Sequence, residues 1–379
     1  MEMTLFYMHR LDLTFTSAQT LQVIKDYAYL SQYGYKIQIY GTYNSIDSLN
    51  EIKSFLKNFP SVKLYAIQKK QFNSLKIWLN FIRELSLCCD KKVLITRHYK
   101  KLKNAIFLKK FLKNSFIIHE MHEESFAYKF KKISKKNFIK TIDKSDIVIF
   151  TNPSQLIYFK KEFGNYPKFN YIILPNGVEY ERFKTVKMKQ NYVITYTGQF
   201  NKWKNTELIF KTLSLLPKSF TLRIAGGKND TNSSEYINDM IQSYNLQGRV
   251  DYKGFINNNE IPDNVLNNSH ILFLPLGDNI QSKYLTSPMK LFEYIATNIP
   301  VLAVDYPTVN SIVTTKEIFF CKNDPKDCAK QILSIVSIPN DELNKKIYNM
   351  NLLAKKYSYQ NRSKTFDNTL KTFFVIRTR

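Results

Sequence analysis

The sequence predicts an α/β protein made of two successive Rossmann-like domains. Three observations lead there. Short apolar runs alternate with helical patterns along most of the chain. The alternation restarts after a basic stretch at Lys184–Gln190. A length of 379 residues exceeds one ordinary core and suits two domains of about 150–200 residues each. Several runs are apolar almost throughout, as strands of a parallel sheet covered on both faces must be.

In the first passage Thr4–Met8, Lys36–Tyr40, Val62–Ile67, Lys92–Thr96, Ser115–His119, Ile147–Thr151 and Tyr171–Pro175 read as strands. Helical patterns at 18–33, 47–57, 73–88, 102–112, 126–143 and 153–162 lie between them, and Asn152-Pro153-Ser154 marks a strand-to-helix turn. The second passage follows Asn176-Gly177-Val178-Glu179. Its strands are expected at Tyr192–Thr197, Phe220–Ala225, Val250–Tyr252, Ile271–Leu274, Val301–Val304 and Ile318–Phe320. Helices are expected at 204–215, 234–245, 260–267, 288–297 and 325–337, with more helix through 340–379. Two domains with a cleft between them, near residues 178–190, is the economical arrangement.

Composition narrows the function classes. No run of about 20 uninterrupted apolar residues exists, so a membrane-spanning helix is not expected. Met1–Tyr7 reads as a first strand and not as a signal segment. The four cysteines make no disulfide framework, and Cys321 and Cys328 lack the spacing or histidines of a zinc site. A reducing cytosol fits. The net charge of +25 is uneven: residues 1–190 carry 33 basic against 15 acidic side chains, and 51–150 alone carry 23 against 8. Such a field attracts polyanions. Lys100-Lys101-Leu102-Lys103, Lys109-Lys110-Phe111-Leu112-Lys113 and Lys131-Lys132-Ile133-Ser134-Lys135-Lys136 interleave lysine with apolar residues, a pattern suited to an anionic membrane surface. The plain alternative is a solvated lysine-rich face. No zinc finger, helix-turn-helix or RNP-like aromatic strand supports nucleic-acid binding.

The most informative local segment is Ser287-Pro288-Met289-Lys290-Leu291-Phe292-Glu293-Tyr294, which leads through a short helix to an apolar strand. Proline is tolerated in a first helical turn, and Leu291 and Ile295 form an i,i+4 apolar pair, with Lys290 and Glu293 on other sides. A helix N-terminus in such a unit offers free N–H groups to a phosphate. The pattern alone leaves function open.

Its residues, however, resemble the donor-nucleotide segment of the GT-B glycosyltransferases of family GT4, in the branch carrying Ser-Pro-x-Lys-x-x-Glu-Tyr. Gly198-Gln199-Phe200-Asn201-Lys202-Trp203-Lys204-Asn205 resembles that family's glycine-led loop ending in a donor-binding lysine. Ile224-Ala225-Gly226-Gly227, then Val250 with Gly254 and Phe255, then Ile271–Leu276 follow in the family's order. Glu120-Met121-His122, Thr151-Asn152-Pro153-Ser154 and Pro175-Asn176-Gly177-Val178 give a weaker, ordered match in the first domain. Tyr357-Ser358-Tyr359 and the helix after it resemble the tail that crosses back onto that domain. The pattern departs from the family at Leu285, where the first of two glutamates is expected, at Gln199, where a basic residue is frequent, and at His9–Ala18, which lacks the usual glycine pair.

The resemblance implies a GT-B fold with an acceptor-binding domain at 1–182, a nucleotide-sugar domain at 183–356 and a helical tail at 357–379. It implies retaining transfer of a sugar from a UDP- or GDP-linked donor to a hydroxyl of a lipid-linked, lipopolysaccharide or capsule acceptor, without metal and without a true cofactor. Glu293 would accept hydrogen bonds from the ribose hydroxyls, and Lys204 and Lys290 would face the diphosphate. Gly198, Gln199, Gly226, Gly227, Ser287, Pro288 and Met289 would line the donor site, and His122 would sit beside the transferred sugar. Glu120 is expected to be structural, Glu123 is left open, and His9 and Arg10 are candidates for an acceptor phosphate. The partners implied are a nucleotide sugar, the acceptor, an anionic membrane at the inner face of the cytoplasmic membrane and, as an option, a second copy of the chain. Rival readings are a GT-B sugar-nucleotide epimerase, a basic nucleic-acid-binding protein, and an inactive scaffold.

Overall fold

A computed structural model describes residues 2–14, 17–71, 74–122, 126, 133–164, 169–200, 202–227 and 230–376. The chain forms two compact units, Met1–Pro175 with Tyr359–Arg379, and Asn176–Ser358. The contact boundaries therefore fall after Pro175 and Ser358, where sequence alone suggested 182 and 356.

The first unit is a seven-stranded parallel sheet in the order β3-β2-β1-β4-β5-β6-β7. Its strands are β1 (Met3–Asp12), β2 (Lys36–Tyr43), β3 (Val62–Gln68), β4 (Lys91–Thr96), β5 (Ser115–Met121), β6 (Ile147–Phe150) and β7 (Tyr171–Ile173). Helices α1 (Ala18–Ser31), α2 (Ile46–Leu56), α3 (Ser74–Leu87), α4 (Tyr99–Lys109), α5 (Lys135–Ile142) and α6 (Pro153–Phe163) connect them. Both faces of the central strands are covered, so Leu5, Phe6, Val93, Leu94, Ile117 and Ile118 are all buried, which is why these segments read as continuous apolar runs. Side-chain caps start several helices: Ser17 Oγ accepts from Thr20 N at 3.4 Å, Ser134 Oγ from Asn137 N at 3.2 Å, and Asn152 Oδ1 from Ser154 N at 2.9 Å. Pro153 takes the first helical position, where its missing N–H is harmless.

The final helix α14 (Tyr359–Ile376) belongs to this first unit. Tyr359 stacks on Tyr29 with ring centroids 5.6 Å apart, and Tyr35 donates to Asp367 at 2.9 Å. Arg362 pairs with Asp26 at 3.1 Å, both side chains 4% exposed, and its Nε donates to the Pro175 carbonyl at 2.8 Å. Removing one partner of such a buried pair typically costs about 3–5 kcal/mol.

The second unit is a six-stranded parallel sheet, β10-β9-β8-β11-β12-β13. Its strands are β8 (Val193–Gly198), β9 (Thr221–Gly226), β10 (Val250–Tyr252), β11 (Ile271–Leu274), β12 (Val301–Val304) and β13 (Phe319–Cys321). Around them lie α7 (Tyr180–Phe183), α8 (Glu207–Ser214), α9 (Thr231–Ser243), α10 (Met289–Ile295), α11 (Pro307–Asn310), α12 (Pro325–Val336) and α13 (Asn340–Lys356).

Several boundaries differ from the sequence reading for local reasons. The helix expected from 204 starts only at Glu207, because Asn205 takes φ +50° and breaks the turn; Lys204 instead ends a 3₁₀ turn, Lys202–Lys204. The helix expected at 260–267 is a π-helical turn, Pro262–Leu266, closed by Asn267 N donating to Pro262 O at 2.9 Å. The helix expected at 126–143 is observed as α5; residues 127–132, with Lys131 and Lys132, lie outside the described residues. Strand β1 runs on to Asp12 past a register break between Tyr7 and Leu11, so His9 and Arg10 sit inside the strand.

Candidate functional site

In the second unit the ends of β8 and β9 are bare backbone. Gly198 and Gly226 are register partners, Gly226 N donates to the Gly254 carbonyl at 2.8 Å, and Gly227 N donates to the Gly198 carbonyl at 3.0 Å. Gly226 has φ +129°, and a Cβ built there would lie 1.9 Å from the Gly198 oxygen. No side chain fits. A Cβ on Gly198 would meet the Tyr196 hydroxyl at 2.6 Å and would lie 3.6 Å from Lys204 Nζ, so the lysine ammonium reaches this glycine corner. Gly227, at φ +78°, leaves room for Ser233 Oγ, which a Cβ would approach to 2.5 Å. Gln199 is exposed, and its carbonyl accepts from the Tyr196 hydroxyl at 3.0 Å.

Lys204 Nζ lies 5.3 Å from the centre of the Trp203 ring. Burial, then the charge of Lys290, partly offset by Glu293, bring the Lys204 ammonium down to about 8. Lys290 in turn donates to Glu293 Oε2 at 2.6 Å, the i,i+3 spacing placing the two side chains together. Glu293 is 6% exposed, so it is a buried carboxylate and not one on a surface helix. Asn258 Nδ2 donates to its other oxygen at 3.4 Å, and Arg182 holds Asn258 and Asn259 at 2.6 and 2.9 Å.

One further contact ties α10 to the glycine corner, and another holds the segment that leads into α10. The Tyr294 hydroxyl accepts from Thr197 N at 2.8 Å, immediately before Gly198. Asn176 Nδ2 donates to the Ser287 carbonyl at 2.7 Å, while Ser287 Oγ is buried with no hydrogen-bond partner. Pro288 is the N-cap of α10 and makes no side-chain cap; Met289 opens the helix, and Leu291 N donates to the Pro288 carbonyl at 3.0 Å. Leu285 is buried, 4% exposed, so an apolar side chain occupies that position.

The structure thus gathers Gly198, Gly226, Gly227, Lys204, Lys290 and Glu293 within the second unit. His122 belongs to the first. It follows β5, its Nδ1 lies 3.1 Å from Arg97 Nη2, and its Nε2 lies 3.6 Å from Glu120 Oε2. Burial, then the Arg97 charge, lower His122 to about 4 against the opposing pull of Glu120, so the ring is neutral at pH 7. Glu120 is 3% exposed and accepts from the Tyr27 hydroxyl at 2.9 Å. Burial alone would raise this carboxyl; the His122 contact and the Arg97 and Arg362 charges overcome it and bring Glu120 down to about 2. His119 bonds Thr96 Oγ1 through Nδ1 at 2.8 Å, a different partner from that of His122. No group of three or more His, Cys, Asp or Glu able to hold a metal ion occurs among the described residues, and Glu123 lies outside them.

Sequence reasoning did not single out Arg97, Asn258, Arg182 or Thr197. Each acts through a partner distant in sequence, and no spacing signals it. Tyr294 was legible as part of the motif, but its anchoring of β8 was not.

Residues 178–351 match the family described as Glycosyl transferases group 1. No curated protein matches the chain by sequence. Among solved structures, the chain is similar to sucrose-phosphate synthase from Thermosynechococcus elongatus, with 14% identity, 99% of this chain and 100% of that chain covered, and a TM-score of 0.75. It is also similar to Anabaena HepE in complex with UDP-glucose, with 12% identity, 98% and 99% covered, and a TM-score of 0.72. The lipopolysaccharide outer core galactosyltransferase WaaB superposes with a TM-score of 0.67 at 14% identity, covering 98% and 99%. These likenesses establish the GT-B fold.

Proposed function

We propose that this GT-B glycosyltransferase is a retaining enzyme that moves a sugar from a nucleotide-diphosphate donor to a hydroxyl of a lipid-linked or surface-glycan acceptor. The observation that carries the reading is the cluster of Lys204, Lys290 and Glu293 beside a glycine corner that admits no side chain. Bare backbone permits close approach of a ligand, and two ammonium groups complement a diphosphate whose leaving-group charge grows as the glycosidic bond breaks. Glu293 then takes the ribose hydroxyls, with Asn258 steadying it. Gln199, Ser287, Pro288 and Met289 contribute backbone around the donor. Lys290 exchanges its bond to Glu293 for the phosphate.

His122 is too weak a base at about 4 to take a proton near neutrality, so its role is to orient the sugar as a neutral hydrogen-bonding ring. The buried Leu285 leaves no carboxylate at that position to serve as a nucleophile. Same-face transfer assisted by the donor phosphate is the mechanism consistent with both, and the lysines neutralise the diphosphate without metal. Bound donors in related folds support the donor class: HepE is found with UDP-glucose. The likeness to WaaB, a lipopolysaccharide outer core galactosyltransferase, supports a surface-glycan acceptor, and action at the inner face of the cytoplasmic membrane is part of the same proposal. No helix among the described residues is long and apolar enough to cross a membrane, and the basic first unit supplies peripheral attachment.

The test is a screen of nucleotide-sugar donors by calorimetry, followed by incubation of the best donor without acceptor. Binding of a UDP- or GDP-sugar with slow hydrolysis supports transfer. Interconversion of the free sugar nucleotide would establish the epimerase reading instead, and no binding of any donor would refute both.

A further inference from the structure

Two cysteines that share no metal-site spacing are brought together by the fold of the second unit. Cys321 ends β13 and Cys328 is the fourth residue of α12, and their sulfurs lie 3.3 Å apart. Both are free thiols and both are buried. Residues 322–327 between them form a tight loop pinned at each end. Asp324 caps α12 by accepting from Asp327 N at 2.9 Å, and Asp327 Oδ2 accepts from Lys322 N at 2.7 Å. Cys328 N donates to the Asp324 carbonyl at 2.9 Å, and the Cys328 thiol donates to the Lys322 carbonyl at 3.4 Å. The loop therefore imposes the proximity, and the proposed sugar transfer uses neither sulfur.

A disulfide bond is about 2.05 Å long, so closing it needs the two sulfurs to approach by only about 1 Å more. The contact with Cys321 favours the Cys328 thiolate against the effect of burial, and the same contact raises Cys321. Cys328 also lies in the first turns of a helix, where a thiolate meets the positive end of the dipole. It is the nucleophile of the pair. Lys322 and Asp324 are exposed and Asn323 and Asp327 partly so, which puts the sulfurs directly beneath a surface loop. That loop reaches the lysine of the glycine corner. Asn323 Oδ1 accepts from Asn205 Nδ2 at 2.9 Å, and Asn323 Nδ2 donates to the Tyr306 hydroxyl at 3.1 Å. Asn205 is the left-handed residue, φ +50°, directly after Lys204.

We propose that Cys321 and Cys328 form a reversible oxidation site, a dithiol that hydrogen peroxide closes to a disulfide, and that closure displaces the Asn323–Asn205 contact beside Lys204. The Cys328 thiolate attacks a peroxide oxygen and breaks the O–O bond, leaving a sulfenic acid and a hydroxide that takes up the Cys328 proton as water. Cys321 then attacks that sulfur, the S–S bond forms, and the hydroxyl leaves as a second water with the Cys321 proton. Two thiols are oxidised and one peroxide is reduced to two waters. A small dithiol reverses the step by becoming a disulfide itself. Closure withdraws the Cys328 thiol from the Lys322 carbonyl and so moves Asn323, the next residue. Transient disulfides of this kind are the form found in reducing compartments. The effect on nucleotide rests on the reading of Lys204 as a donor-site residue; the oxidation itself does not.

The experiment treats the full chain with hydrogen peroxide, blocks residual thiols with N-ethylmaleimide, and maps the digest by mass spectrometry. Trypsin cuts after Lys322 and Lys326, so the disulfide joins the peptides Glu317–Lys322 and Asp327–Lys330, and dithiothreitol should separate them. In a second arm, Trp78→Phe leaves Trp203, next to Lys204, as the one tryptophan, and Cys88→Ser/Cys89→Ser leaves one pair of thiols. Peroxide should shift the Trp203 emission, dithiothreitol should restore it, and adding Cys328→Ser should abolish the response. UDP or GDP affinity by calorimetry should fall at least about fivefold on oxidation and recover on reduction. Absence of the cross-linked peptide pair from folded wild type overturns the inference, whatever the variants do. So does a disulfide that leaves the Trp203 emission unchanged, or that changes the affinity of a nucleotide-binding protein by less than about twofold. A reversible disulfide with a Trp203 response, but no UDP or GDP binding in either state, supports the oxidation site and overturns the donor reading alone.

Discussion

On the proposed donor reading, Lys204 gives the nucleotide site a pH dependence that an ordinary lysine would not. Burial and Lys290 hold its ammonium at about 8, compared with the usual 10.5. A nucleotide diphosphate binds the protonated form and, by its charge, keeps it protonated in the complex. The free protein loses that proton as pH rises through about 8, so affinity falls with increasing pH. Going from pH 7 to pH 9 takes the protonated fraction from roughly nine-tenths to roughly one-tenth, which weakens binding about tenfold, or about 1.4 kcal/mol. A lysine at 10.5 would show almost no change over the same range. The assay is calorimetric titration of UDP or GDP, whichever binds at pH 7, in wild type and Lys204→Arg. Arginine stays charged throughout, so the slope should vanish in the variant whatever its absolute affinity. A wild type that loses less than twofold, or a Lys204→Arg variant that loses as much as wild type, would refute the reasoning.

Glu293→Ala should weaken nucleotide-diphosphate binding by roughly 10–1000-fold, about 1.4–4 kcal/mol, in a folded protein; unchanged UDP and GDP affinity would remove Glu293 from the site. Gly226→Ala should destabilise by about 3 kcal/mol or more in urea unfolding, since its Cβ would lie 1.9 Å from the Gly198 oxygen; a change under 1 kcal/mol would show that the corner can open. On the first unit, Lys109 is not a membrane lysine, because it pairs with Asp146, which is itself buried and also accepts from Ile117 N. The exposed Lys103, Lys110 and Lys113, beside the exposed Phe107 and Phe111, are the better test. Replacing those three lysines with glutamate should reduce sedimentation with anionic vesicles at low salt and spare nucleotide binding; equal sedimentation of wild type with neutral and anionic vesicles would defeat membrane attachment.

The sequence by itself determined the elements, because burial on both faces of a parallel sheet demands apolar runs that can be read without coordinates. Val250–Tyr252, Ile271–Leu274 and Val301–Val304 form strands with the bounds their residues suggested. It also determined the motif-bearing glycines and the pair Lys290 and Glu293, since a four-residue segment of helix already sets their spacing. Tertiary structure decided the rest. Asn205 in the left-handed region moved Lys204 out of a helix, and backbone strain of that kind leaves no periodic trace. Lys204 acquired its lowered proton affinity only from burial beside Lys290, a residue far along the chain. Tyr294 anchoring Thr197, Asn176 holding the Ser287 carbonyl and Arg97 meeting His122 are contacts between distant segments, selected by packing. Local propensity is encoded over a few residues and is legible there. The potential felt by a side chain is summed over everything that folding brings around it, and only the folded chain specifies that sum.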